Sequence, residues 1–133
     1  MAADKSKELI RQYIRSYETC SLDSVKAFLH PSHVYYPPGG GKPMGLEERM
    51  GDEKFFFSAF TDIKATVDDL VAEGDKVAGR ITMRCTHTGD YQGIPATGKR
   101  IAITYMDLAC LKDGKIIEEW AEFDLLSIFN QLK

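Results

Sequence analysis

The chain has 133 residues, 44% of them apolar and 28% charged, with a net charge of −3. That balance excludes a disordered chain and supplies no basic stripe for a phosphate backbone, so no nucleic-acid partner is expected. No stretch reads as a bilayer span or as the apolar core of a signal peptide, and Cys20, Cys85 and Cys110 are too scattered for a disulfide framework; no membrane association and a cytoplasmic location are the expectation.

Residues 4–19 predict an amphipathic helix, with Leu9, Ile10, Tyr13, Ile14 and Tyr17 on one side and Lys5, Lys7, Arg11 and Arg15 on the other. Ser21 predicts the cap of a second short helix that Pro31 ends. A short strand at 33–36 stops at Pro37-Pro38 and the glycines 39–41, and a third helix is predicted over 46–60. Beyond Thr61 the apolar period changes from 3.6 to 2. Strands are expected at 63–73, 76–88, 100–112 and 115–124, with tight turns at Gly74-Asp75 and Asp113-Gly114, and a helix over 125–132 closes the chain. Helices first and a meander of long strands afterwards indicate one α+β domain spanning residues 1–133, the helices covering one face of a curved, mainly antiparallel sheet around a pocket.

The Asp113-Gly114 turn sets a register. With those two residues as the loop, Asp107 falls opposite Trp120, Tyr105 opposite Glu122 and Ile103 opposite Asp124, so the inward face would carry Asp107, Tyr105, Trp120, Glu122 and Asp124. A one-residue bulge would reverse the last strand. Val77, Ile81, Met83, Cys85 and His87 should also point inward. Met106, Leu108 and Cys110, with Ile117, Ala121 and Phe123, would then form an apolar outer face, best covered by a second subunit; a homodimer is expected.

The segment from His87 through Thr-Gly-Asp-Tyr-Gln-Gly-Ile-Pro-Ala-Thr-Gly to Lys99, the run Asp113-Gly-Lys-Ile-Ile-Glu-Glu-Trp120, and Asp124 followed by Gln131-Leu132 resemble the SnoaL-like polyketide cyclases of the nuclear-transport-factor-2-like superfamily. The resemblance covers nearly the whole chain. It implies a cone-shaped α+β barrel with a deep pocket, a small organic ligand, and aldol-type ring closure without metal or organic cofactor. It also implies that Asp124 is the general acid/base, with His87 at a pocket-side position. Ketosteroid isomerase shares the fold; Tyr13 or Tyr17 and Asp107 resemble the groups that hold its enolate oxygen, but Tyr36 stands where its base would be.

Each candidate has a plainer reading. Asp124 could only cap the last helix, leaving Glu122 as the acid. Asp107 could be a structural hydrogen-bond partner of a first-helix tyrosine, and His87 a satisfied core histidine. Trp120, Tyr105 and Met83 are expected in the pocket wall. Tyr36, beside the glycine run, and Phe57, from the Phe55-Phe56-Phe57 run, are candidates for its mouth. His30 and His33 are a pair without a third metal ligand. The functions in view are an enzyme of cyclase, isomerase or hydratase type, a non-catalytic module for an apolar metabolite, and a dimeric interaction domain.

Overall fold

A computed structural model describes residues 2–133. Helix α1 (Ala2–Ser16) runs into a 3-10 turn at Tyr17–Thr19 and a short α2 (Leu22–Lys26). Strand β1 (Leu29–Tyr36), the two-residue β2 (Met44–Gly45) and helix α3 (Leu46–Ala59) follow. Four long strands, β3 (Phe60–Glu73), β4 (Lys76–His87), β5 (Arg100–Lys112) and β6 (Lys115–Phe123), lead to α4 (Leu125–Leu132). Ser21 caps α2 by accepting from the Ser24 amide, as its position before an apolar run predicts.

The strands form one curled sheet in the order β2-β1-β6-β5-β4-β3, antiparallel throughout except where β1 runs parallel to β6. This is the α+β architecture expected. The strand at 33–36 is longer than its sequence suggests, because Pro31 lies in β1 where the register with β6 is interrupted. Asp113 and Gly114 both have positive φ, at 55° and 72°, the conformation of the two-residue hairpin turn their sequence predicts.

The core lies between the helices and the concave face. Ile10, Tyr13 and Ile14 of α1, with Tyr17 of the turn that follows, are buried against Ile63, Ile81, Met83, Ile103 and Ala109 of the sheet. Between the two layers, toward the end carrying α3 and α4, the packing leaves a cavity of about 650 Å³. A volume in that range fits a small organic molecule.

The phase of β6 differs from the expectation. Lys112 pairs with Lys115 as predicted, but the ladder then slips: Leu111 pairs with Ile116 and Cys110 with Glu118, leaving Ile117 as the extra residue. Such a bulge inverts every later side chain. Asp107 therefore lies opposite Ala121 and Tyr105 opposite Phe123. Glu119, Ala121 and Phe123 turn inward, while Trp120 and Glu122 turn outward. The bulge is held from β1 and its approach: the Ile116 amide donates to the Phe28 carbonyl at 2.9 Å, and its carbonyl accepts from His33 Nδ1 at 2.8 Å.

Candidate functional site

The floor of the cavity is built around a guanidinium. Arg49, on α3, and Glu119, on β6, are each only 3% exposed and are joined as a direct ion pair. Arg49 Nη2 also donates to the Tyr13 and Tyr17 hydroxyls at 2.6 and 3.1 Å, and Nη1 to His33 Nε2 at 2.9 Å. Because His33 Nδ1 donates to a carbonyl, Nε2 must be the bare acceptor nitrogen, and the ring is neutral. Burial and the adjacent guanidinium both hold the His33 pKa down, in keeping with that tautomer. Tyr13 completes the circuit by donating to Glu119 Oε1 at 2.9 Å, and the Tyr35 ring lies against Arg49 at 4.2 Å. These contacts meet most of the remaining valences of the pair, as a buried charge pair requires, and leave Arg49 Nε buried with no partner among the described residues.

Two more buried carboxyls line the same cavity. Asp107, 5% exposed, is diagonal to Glu119 on the inner face of the β5–β6 ladder. Burial, then the neighbouring Glu119 carboxylate, raise its pKa well above the ordinary carboxylate range, whereas burial of Glu119 is outweighed by Arg49, which holds Glu119 ionised. Asp107 is thus the protonated member of the pair. Its Oδ1 is buried with no hydrogen-bond partner among the described residues. Glu53, one turn after Arg49 on α3, is likewise buried, has an unpartnered Oε2, and has its pKa raised by burial against the opposing pull of Arg49. The cavity wall also carries the exposed polar residues Asp52, Asp90 and Gln92, and apolar or aromatic side chains that include Phe56, Met83, Ile103, Phe123 and Ile128; Ala121 keeps space open opposite Asp107.

The candidates divide accordingly. Tyr13, Tyr17, Met83, Tyr105 and Asp107 line the cavity. The other six do not. The bulge puts Trp120 on the outer face, where it stacks on Tyr36 with ring centroids 4.6 Å apart and planes within 5°, so Tyr36 is on the outer face too. Glu122, also turned out, accepts from the Gly39 amide at 3.3 Å. Asp124 is exposed and caps α4 by accepting from the Ser127 amide at 3.2 Å, although its neighbours Phe123 and Leu125 line the cavity. His87 is fully buried; its Nδ1 accepts from the Thr97 amide at 3.1 Å, which ties down the loop after β4. Of the phenylalanine run, Phe55 stands at the mouth and Phe56 in the wall, while Phe57 packs on Tyr17. His30 faces Asp113, and His33 is held by the Arg49 network.

The sequence reading missed Arg49, Glu53, His33 and Glu119. A signal for two of them existed. Leu46, Arg49, Met50, Glu53, Phe56 and Phe57 share one helical phase, so two charges fall on the buried stripe of α3. Nothing in local sequence announces the bulge that brings Glu119 inward.

The family model for SnoaL-like polyketide cyclases matches residues 7–132. The chain belongs to the SnoaL-like polyketide cyclase family. It is 28% identical to the aklanonic acid methyl ester cyclase DnrD of Streptomyces peucetius, over 94% of this chain and 88% of that protein. Among solved structures it is similar to IdmH of Streptomyces antibioticus, at 29% identity and a TM-score of 0.84, covering 96% of this chain and 97% of that one. AclR of Streptomyces galilaeus, at 24% identity, shares the fold with a TM-score of 0.89 over 98% of this chain and 82% of that one. Among the described residues of this SnoaL-like chain no helix is long and apolar enough to cross a membrane.

Proposed function

We propose that this SnoaL-like protein is a cofactor-independent enzyme of cyclase or isomerase type, acting by carboxyl acid/base chemistry on an uncharged, largely apolar molecule that carries carbonyl groups. The observation that carries this reading is Asp107: a carboxyl held in its acid form, with an unpartnered oxygen, in the wall of a cavity sized for such a molecule. A neutral carboxylic acid in an apolar site donates a hydrogen bond to a carbonyl oxygen, and gives up its proton as that oxygen becomes an alkoxide. Tyr105, buried beside it, keeps its phenol protonated, because burial and then the nearby carboxylates oppose its ionisation. The ionised Glu119 stays bound to Arg49 and fixes the geometry of Asp107.

For an intramolecular aldol closure, a C–H bond next to one carbonyl breaks, the resulting carbon attacks a second carbonyl, and that carbonyl's oxygen takes a proton from Asp107. Atoms and charge balance without a redox partner. The relative named above acts on a methyl ester, which makes aklanonic acid methyl ester the first substrate to try. Asp107→Asn should lower kcat about 100-fold or more while the fold persists. Full turnover in that variant would remove Asp107 from the chemistry; recovery of an unaltered ligand with no turnover in either protein would favour the binding-module reading.

The protein is also proposed to be a homodimer through the outer sheet face. Met106 and Leu108 are 56% and 38% exposed there, beside the stacked Tyr36 and Trp120 rings.

A further inference from the structure

Five carboxyls line the cavity; Asp52 and Asp90 are exposed to solvent, and the three buried ones are not equivalent. Glu119 is held by Arg49 and by the Tyr13 hydroxyl, so both its charge and its lone pairs are already engaged. Asp107, on the sheet wall, carries a proton. Of the three buried carboxyls, Glu53 alone comes from the helix wall, and it has an oxygen with no partner among the described residues, in a side chain nine-tenths buried; its neighbour Asp52 is exposed. Resting on the cyclase-type reading above, we propose that Glu53 is the general base that removes the carbon-bound proton, working from α3 across the cavity from Asp107 on β5.

The division of labour follows from surroundings. An acid and a base at one site need environments that separate their proton affinities, and a base works best when its affinity lies near the working pH. Glu53 is faced by Arg49 and Asp52 of its own helix, Tyr17 of the 3-10 turn after α1, Tyr35 of β1, Tyr105 of β5 and Glu119 of β6. Burial is the largest influence and raises its affinity for a proton above that of a solvated glutamate, while Arg49 keeps the ionised form accessible. The Glu53 carboxylate takes the proton from carbon, the new carbon–carbon bond forms, and Asp107 protonates the alkoxide. Glu53 then holds one proton more and Asp107 one fewer, and exchange with solvent at the cavity mouth restores both.

The test separates the two proton transfers. Aklanonic acid methyl ester in D2O is followed by NMR for deuterium entering next to the carbonyl and, separately, for ring closure. Wild type should do both. Glu53→Gln should slow both at least 100-fold, Asp107→Asn should slow closure while leaving deuterium exchange within about threefold, and Glu53→Asp should recover part of the exchange with a displaced acid limb in its pH profile. Exchange at the wild-type rate in Glu53→Gln would overturn the role of Glu53 and leave the cyclase reading intact. A wild-type protein that catalyses neither exchange nor closure would overturn both. Should Glu53→Gln fail to fold, the Glu53→Asp profile decides alone: an unshifted acid limb at full rate counts against the proposal.

Discussion

Arg49 and Glu119 meet at the floor of the cavity as a buried ion pair from a helix and a strand 70 residues apart in sequence. The pair joins the two layers of the fold: α3 supplies the cation, β6 the anion, α1 the tyrosine that accepts from Arg49 and donates to Glu119, and β1 the neutral histidine behind it.

Removing one partner leaves the other charge stranded. Arg49→Met should cost roughly 3–5 kcal/mol of stability in urea denaturation, the scale for breaking a buried pair. The double variant Arg49→Met with Glu119→Leu should regain a large part of that loss. A double variant as unstable as the sum of two single ones would show that the pair is not the unit.

The sign of the pH dependence is set by Asp107 and Glu119 in opposite directions. Asp107 has a folded-state pKa above its unfolded value, so the native state binds the extra proton between those values. Stability contributed by that proton is present below the unfolded pKa, near 3.9, and falls by up to about 1.4 kcal/mol per pH unit as pH rises toward the folded value. Glu119 has a lowered pKa, so its contribution is present above the unfolded value near 4.3 and is lost as pH falls through the folded one. Asp107→Asn should therefore flatten the decline on the alkaline side and leave the acid limb; an unchanged alkaline side in chemical denaturation would contradict this.

Much of this was legible in the chain, and the exceptions have one physical source. The element order, both hairpin turns and the inward set on β4 follow from apolar period and turn chemistry. Asp107, Tyr105, Met83, Tyr13 and Tyr17 were found because each lies on a strand or helix whose phase is fixed by many neighbours. Trp120, Glu122 and Asp124 were put inside because their phase was counted from a turn through a bulge. That bulge is stabilised by contacts with Phe28 and His33, some 80 residues earlier. Long-range hydrogen bonds of that kind leave no local mark. Arg49 and Glu53 did leave one, as charges on the buried stripe of α3, and their burial becomes intelligible only once Glu119 is turned toward Arg49.

Asp124 serves the last helix. Asp124→Ala should lower stability by about 1 kcal/mol, the usual loss for an N-cap, and Asp124→Ser should restore it. Turnover per folded molecule should persist in both variants. Loss of turnover in Asp124→Ser at wild-type stability would return this residue to the chemistry.

The outer face makes a separate prediction. Leu108→Lys puts a charge in the middle of the apolar patch and should convert a dimer to a monomer in sedimentation, with the cavity network untouched. A wild-type protein that sediments as a monomer at micromolar concentration would contradict the proposed interface.

The account stands on which of two adjacent carboxyls holds the proton. Carbon-13 labelling of the aspartate and glutamate side chains, with NMR titration of each carboxyl, reads this directly. Asp107 should titrate well above the ordinary aspartate range and Glu119 below the ordinary glutamate range. Asp107 titrating near the ordinary aspartate value, or Glu119 taking the proton in its place, would contradict it.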